Sequence, residues 1–386
     1  MIPIYQLVVD PEHSLNHERI LARRMGKPPF PVTKVSEDVL VGDLLNSMES
    51  ERVVMIFDPE FWYSQECWIS WLAAETSEPT DAMISLPVGN QNPEWRKHLN
   101  IPHYLTIQGL EKASSFKSEM DWMVRQVESQ MECCVFVLPR VVMSKVPEQM
   151  KLKEIPGYFS RKKIKARVFC HGWLHSFNAI IKAGCRQDLI AMTDWHGKIL
   201  EMGCGIGLMA KTFKEMGHKV TWIGLDLDPE VISQARRHVD LAIVADARDH
   251  LPLNPAVKFD RVVCGDFLEH LPFPWVFLTR LREIMAVNGQ LIASVPNVGH
   301  WSVVEDLLAG RFDEAPAGIM CVTHLRFGTK TSWGRWLEQS GWGVIRWEEE
   351  RLPLPNHLQT FGDDFGLKTD RDSLETIRYR LLAEVR

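Results

Sequence analysis

The sequence has no apolar run that reaches the ~18 residues a membrane-spanning helix needs, so no transmembrane segment is expected. The opening Met-Ile-Pro-Ile-Tyr lacks a basic start and a long apolar stretch, and no secretory leader is expected either. A basic excess is also missing. Lys and Arg number 44 against 50 Asp and Glu, for a formal net charge of −6, which argues against a nucleic-acid partner. The eight cysteines are scattered, with Cys133-Cys134 as the one close pair and no Cys-x-x-Cys. That pattern excludes a disulfide framework and a zinc ribbon, and it predicts reduced thiols, a cytoplasmic location and no metal site. There is no internal repeat and no low-complexity tract. What remains is the composition of a globular protein, 45% hydrophobic and 24% charged. A length of 386 residues suits two domains.

The most informative stretch is Lys198 to Leu208, Lys-Ile-Leu-Glu-Met-Gly-Cys-Gly-Ile-Gly-Leu. Ile199, Leu200 and Met202 read as a short buried strand. Gly203, Gly205 and Gly207 alternate through a tight turn, and Met209, Ala210 and Phe213 mark the inner face of a following helix. Glycine is needed where backbone takes positive φ or lies against a ligand. The helix start points free N–H groups and a positive dipole end at whatever sits on the turn. Four more strands follow at the spacing of a nucleoside-binding α/β domain. Val220–Leu225 ends in Asp226, placed to accept hydrogen bonds from both ribose hydroxyls, with Leu227 beside it. Leu241–Val244 ends in Ala245-Asp246-Ala247, where Asp246 would meet the exocyclic amine of a purine. Phe259–Cys264 ends in Gly265-Asp266, and Gly289–Val295 runs into Pro296-Asn297.

From about Lys198 to Arg351 the chain resembles a class I S-adenosylmethionine-dependent methyltransferase, carried by Glu201-Met-Gly203-Cys204-Gly205-Ile-Gly207. Its third glycine comes two residues after the second, unlike the nicotinamide fingerprint. Pro296-Asn-Val-Gly-His300-Trp301, Gly310-Arg-Phe-Asp313 and Thr323-His324-Leu-Arg326-Phe327 are similar to methyltransferases found beside glycosyltransferases in polysaccharide clusters, related to ubiquinone- and methionine-biosynthesis types. The resemblance implies a Rossmann-like fold, a mostly parallel sheet with an antiparallel last strand. It implies S-adenosylmethionine as cofactor, held by Glu201, Gly203, Cys204, Gly205, Gly207, Asp226, Leu227, Asp246, Ala247, Gly265 and Asp266. The acceptor it implies is a sugar or glycan hydroxyl. A small metabolite or quinone-like phenol is the alternative, as are a non-catalytic cofactor-binding scaffold and a bifunctional glycosyl- and methyltransferase.

Residues 1–150 read as a smaller α/β domain. Ile4–Val9, Arg52–Phe57, Ala82–Leu86 and Cys134–Leu138 are strand-like. Helices are expected from Ser14 to Met25, after Ser36, from Ser64 to Ala74 and, amphipathically, from Leu110 to Met131. The run Glu51-Arg-Val-Val-Met-Ile-Phe-Asp58-Pro-Glu60 weakly resembles the centre of family 2 glycosyltransferases, whose Asp-x-Asp holds a metal and a sugar nucleotide. Glu60 at the third position and the strand's early arrival imply a degenerate domain that docks a glycan or a partner. Residues 151–196 are expected to form a linker and a helix lying over the cofactor, with a solvated basic run at Arg161–Arg167 and His175 and Phe177 as lid residues. The methyltransferase domain would occupy 197–386.

Methyl transfer to a hydroxyl is helped by a base whose pKa lies near neutrality, and histidine is the natural choice. Loops after the fourth and fifth strands carry His270, His300 and His324. His270 follows Glu269 at a helix start and reads as a cap or packing residue. His300 and His324 are the candidate catalytic pair, one removing the proton and the other orienting the acceptor. Arg326 is placed to hold an anionic group on the acceptor. Asp266 and Glu269 are the carboxylates available should no histidine serve.

Overall fold

Arg52-Val-Val-Met-Ile56 has no polar face beyond its first residue, and such a run is stable as a strand only when both sides are covered. The computed structural model describes residues 4–8, 31–36, 38–57, 61–62, 65–77, 83–89, 118, 122–126, 135–176, 185–248, 251–315, 317–360, 366 and 368–386. It divides into two units, Met1–Ala183 with Ala315–Gly318, and Gly184–Glu314 with Ile319–Arg386.

In the first unit, strands β1 (Ile4–Val8), β2 (Val32–Ser36), β3 (Arg52–Ile56), β4 (Phe61–Trp62), β5 (Ile84–Gly89), β6 (Trp122–Gln126), β7 (Val135–Pro139) and β8 (Lys165–Ser176) form one mixed sheet. Its order is β2-β1-β3-β7-β5-β8-β4, with β6 also pairing β8. β3 and β7 run antiparallel, Val54 opposite Val137. Their alternate side chains fill two cores. Val53, Met55, Phe136 and Leu138 join Val41 and Leu44 of helix α1 (Val41–Ser47), and Ile155 and Phe159 of helix Ile155–Arg161. Val54, Ile56, Val135 and Val137 join Trp68 and Trp71 of helix α2 (Gln65–Ser77). Buried Glu75 lies against two buried arginines, Arg52 Nη1 at 3.1 Å and Arg167 Nη2 at 3.4 Å.

Two expectations fail here. Within the stretch expected as the amphipathic helix Leu110–Met131, Trp122–Gln126 is a strand, paired antiparallel along β8. Ladder pairing overrides the local helical period. Residues 165–176 are not part of a linker or lid helix but the twelve-residue strand β8, paired with β4, β5 and β6. The basic run is solvated only as far as Lys165, since Arg167 is buried beside Glu75. The helix expected from Ser14 to Met25, Asp58, Glu60 and Phe177 lie outside the described residues. Helix α1 starts at Val41 with Leu40 at its cap position, not at Ser36.

The second unit holds a seven-stranded sheet of β9 (Lys198–Met202), β10 (Thr221–Asp226), β11 (Leu241–Val244), β12 (Phe259–Gly265), β13 (Met285–Pro296), β14 (Trp342–Arg351) and β15 (Thr376–Val385). The order is β11-β10-β9-β12-β13-β15-β14. Pairs from β11 to β13 are parallel, and β15 alone runs against its neighbours. The expected fold class is therefore present, with the antiparallel strand inserted beside β13 and not at the edge. Central strands again bury both faces. Leu200, Met202, Val262, Cys264, Leu291 and Ala293 point into one core with Phe277 and Leu281 of helix α3 (Pro274–Arg282). Ile199, Val263 and Ile292 point into the other with Met209, Ala210 and Phe213 of helix α4 (Leu208–Glu215). Strand order reverses between β9 and β12, and a doubly wound sheet opens its ligand crevice at the strand tips there.

Candidate active site

At that switch point β9 hands over to the glycine turn. Gly203, Gly205 and Gly207 take φ of +65°, +54° and +78°, the left-handed region that side chains resist. A Cβ placed on Gly205 would meet nothing within 4 Å, so no packing fills the space over the turn. The Gly205 N–H donates to Asp226 Oδ2 at 3.0 Å, and the Asp228 N–H donates to Asp226 Oδ1 at 3.1 Å. Those two bonds orient the carboxylate and leave half of its roughly four lone-pair sites open. Burial raises the Asp226 pKa, against the lowering effect of the Asp228, Gly205 and Leu227 backbone N–H groups. Leu227 projects into solvent beside it.

Glu201 lies one turn deeper. It is buried on β9 and accepts from the Trp222 indole N–H at 2.8 Å. Burial pushes its carboxyl up to about 8, with the Asp226 charge adding to the rise and the indole opposing it. Neither Glu201 nor Asp226 meets a cationic side chain among the described residues, so this edge carries uncompensated acid. Cys204 is buried behind the turn, its thiol pushed up by burial, so it acts as an apolar filler and not a nucleophile. Its Sγ would stand 2.7 Å from a Cβ on Gly224, which ties β10 close to the turn.

The remaining expected positions have partners of their own. The Asp246 carboxylate sits past the end of β11 but is gripped by Arg248 Nε at 2.9 Å to both oxygens. Ala247 is core, not surface. Gly265 ends β12, and Asp266 follows at φ +50°. Asp266 Oδ2 accepts from Arg186 Nη1 at 2.8 Å, Oδ1 accepts from Ser294 Oγ at 2.7 Å, and Arg378 Nε lies 3.3 Å from Oδ1. Burial works to raise this carboxyl, but Arg378, Arg186 and Ser294 outweigh it and hold it below the usual range. Arg186 in turn clasps Asp188 through Nε at 2.9 Å and Nη2 at 2.8 Å. Sequence reasoning missed this network, because its arginines come from segments far apart in the chain.

The two histidines expected to act together are not joined. His300 is fully buried, with 0% exposure, and caps helix α5 (Trp301–Leu308), its Nδ1 taking the Ser302 N–H at 3.3 Å. Its ring neighbour is Trp301, its Nε2 has no hydrogen-bond partner among the described residues, and burial lowers its pKa to about 4. Full burial and the capping role of His300 run against the expected pairing with His324 over an acceptor. The partner of His324 is His270. Their rings stand edge to face with centroids 4.9 Å apart. His324 Nδ1 bonds the Ile319 carbonyl at 2.9 Å and His270 Nδ1 bonds the Thr323 carbonyl at 3.2 Å. A carbonyl only accepts, so each Nδ1 carries the hydrogen and each Nε2 keeps its lone pair. Burial holds His324 near 4, so its ring is neutral at physiological pH. The Glu269 carbonyl accepts from the Leu325 N–H at 2.8 Å and the Arg326 N–H at 3.1 Å, and this pins the two segments together. Against the expectation of no metal-ligating set, one ligand atom each of Glu269, His270 and His324 lies within 4.8 Å of the others. Arg326 is stacked over Phe273 and Trp275, at 5.7 and 5.5 Å.

Residues 177–346 match the family model described as "Methyltransferase domain". A ubiquinone biosynthesis O-methyltransferase of Xanthomonas oryzae pv. oryzae (strain PXO99A) is 30% identical over 131 residues, 32% of this chain and 52% of that protein. The Xanthomonas axonopodis pv. citri protein of the same name is 31% identical over 105 residues, 26% of this chain and 43% of its own. The chain thus spans about half the length of the curated relatives it matches. Among solved structures, an S-adenosylmethionine-dependent methyltransferase from Archaeoglobus fulgidus covers 54% of this chain and 94% of its own, at 18% identity and a TM-score of 0.40. Residues 177–346 thus carry a methyltransferase domain, for which the sequence resemblance implies S-adenosylmethionine as cofactor. The residues present fit that cofactor. The space over Gly205 is open, Asp226 has lone pairs free for ribose hydroxyls, and no cationic side chain among the described residues competes for the Asp226 carboxylate.

Proposed function

We propose that this protein is an S-adenosylmethionine-dependent O-methyltransferase with its cofactor on the Gly203–Gly207 turn. The observation that carries the cofactor side is the Asp226 carboxylate, fixed by the Gly205 and Asp228 N–H groups beside open space. Bound there, the cofactor supplies a methyl group on sulfur, which leaves as the neutral thioether when the acceptor oxygen takes the methyl. This chain's residues have three tasks in that displacement. Asp226 and the turn fix the nucleoside. The exposed Leu227 covers the base. The rim after β12 and β13 aligns the acceptor, and alignment provides much of the acceleration when the leaving group is already good.

A hydroxyl acceptor gives up its proton as the new bond forms. The lone pairs available at this rim are those of His270 Nε2, His324 Nε2 and the Glu269 carboxyl. Around them stand exposed apolar groups, Phe273, Leu325 and Phe312, the last packed edge to face on Phe327. That rim favours an acceptor with a flat apolar ring, a phenol, over the glycan expected from the sequence. A sugar is the second reading, because aromatic rims also stack on the apolar faces of pyranoses. Radiolabelled cofactor incubated with the full chain and either dihydroxyphenols or a glycan fraction tests this. Label in the phenol fraction is the expected result. Label in neither, with cofactor bound, would leave a binding scaffold in place of an enzyme.

A further inference from the structure

We infer that Glu269, His270 and His324 form a binding site for a divalent transition-metal cation. The three ligand atoms lie within 4.8 Å of one another. Ligand atoms around a bound zinc-sized ion stand about 3–3.5 Å apart, so the tips need to close by roughly 1 Å. Both imidazoles are already set for the task. Each is locked by a backbone carbonyl at Nδ1, which fixes the tautomer and turns the Nε2 lone pair away from that anchor. This is the orienting contact that metal-binding histidines characteristically have.

The second observation is independent of the histidines. Glu269 is 1% exposed, and its Oε2 has no hydrogen-bond partner among the described residues. A buried carboxylate oxygen without a partner is costly, and such groups are normally paired or coordinate a metal. The nearest guanidinium groups do not fill that role. Arg186 and Arg378 are held on Asp266, and Arg326 lies on Phe273 and Trp275. The Glu269 backbone N–H and the more distant Arg378 and Arg186 offset that burial only in part.

Two imidazoles and one carboxylate suit Zn²⁺, Fe²⁺ or Co²⁺ better than Mg²⁺, which prefers an all-oxygen shell. Three protein ligands leave positions open, as in catalytic and not structural sites. Taking the open positions as the seat of the acceptor oxygen rests on the function proposed above. There a hydroxyl on the cation would lose its proton to solvent more easily, and its oxygen would then take the methyl.

The test uses the full chain stripped with a chelator. Co²⁺ is titrated and read by its visible absorption, Zn²⁺ by calorimetry, and S-adenosylmethionine by calorimetry in parallel. One equivalent of Co²⁺ should give the intense bands of a low-coordinate nitrogen-containing shell, and a tenfold excess of Mg²⁺ should not displace it. His270→Ala and His324→Ala should each weaken Zn²⁺ by about tenfold or more, by analogy with second-shell losses of 10–100-fold, with S-adenosylmethionine affinity unchanged. His270→Gln and His324→Gln serve the same purpose should either Ala variant fail to fold. A Co²⁺ spectrum identical to that of the free aqua ion would overturn the site. So would Zn²⁺ affinity untouched in the double variant, which means adventitious binding at thiols or surface histidines. Loss of S-adenosylmethionine binding with metal binding intact would count against the proposed function and leave this site standing.

Discussion

Glu75 in the first unit and Glu269 in the second are equally hidden, each 1% exposed. Their surroundings differ. Glu75 meets two guanidinium groups, Arg52 and Arg167, brought in on β3 and β8 of the same sheet. Glu269 meets none, and burial with the Asp266 charge pushes its carboxyl well above the usual range. Glu201, behind the glycine turn, likewise meets no cationic side chain among the described residues. A fold compensates a buried charge when the charge serves the fold. Where acids stay uncompensated at strand tips, the fold carries a cost that a cationic ligand can relieve.

The sharpest way to break this comparison is to neutralise both acids in turn. Glu75→Gln should lower unfolding free energy by about 3 kcal/mol, since breaking a buried ion pair strands its partners. Glu269→Gln should change it by less than about 1 kcal/mol, because no ion pair is lost. Urea titrations of the two variants decide it, and equal losses would erase the distinction.

Next in size is Asp226→Ala. Charge-assisted hydrogen bonds to the ribose contribute about 1.5–3 kcal/mol, so S-adenosylmethionine affinity should fall roughly tenfold to a hundredfold. Calorimetry with unchanged affinity would remove Asp226 from the site.

The pH dependence follows from His300. Its folded pKa of about 4 lies below the ordinary 6.5, so the unfolded chain binds the extra proton first. Stability contributed by the neutral ring is full above about pH 6.5 and is lost as pH falls towards 4. Between pH 7 and pH 5 His300 alone should account for a loss of about 2 kcal/mol, and His300→Asn, which keeps a capping acceptor without a titrating ring, should remove that share and leave the like contribution of His324. A wild-type urea midpoint that does not move over that interval would contradict the assignment.

The smallest effect on folding is expected at Gly205→Ala. Its φ of +54° makes a side chain strained by about 1 kcal/mol, while the added methyl points into the open space over the turn. Thermal denaturation should register that small loss, and cofactor affinity a larger one.

The glycine turn and the four strand tips after it were legible because each is a local pattern of a few residues. The mostly parallel sheet with an antiparallel last strand followed from the family resemblance, while the strand order, with β15 beside β13, had no local trace in the sequence. Trp122–Gln126 and Lys165–Ser176 were misread for the same reason, as their strand state is imposed by the ladder between them. His300 stands at an N-cap, where Ser, Thr, Asp or Asn is the usual signal, so its capping role was invisible. The pair His270 and His324 was hidden by distance along the chain. The Thr323 carbonyl that His270 holds is 53 positions away. The adjacent Glu269-His270, in the short turn that follows β12, was a usable signal, and a cap was read in its place.

Amide hydrogen exchange on the full chain, with and without S-adenosylmethionine, tests the central contrast most directly. The cofactor should slow exchange across residues 203–208 and 226–228, at the turn and around Asp226. It should leave 52–56 and 165–169, around the Glu75 ion pairs, unchanged. Protection centred on 52–56 and 165–169, or none at 203–208, would contradict the account.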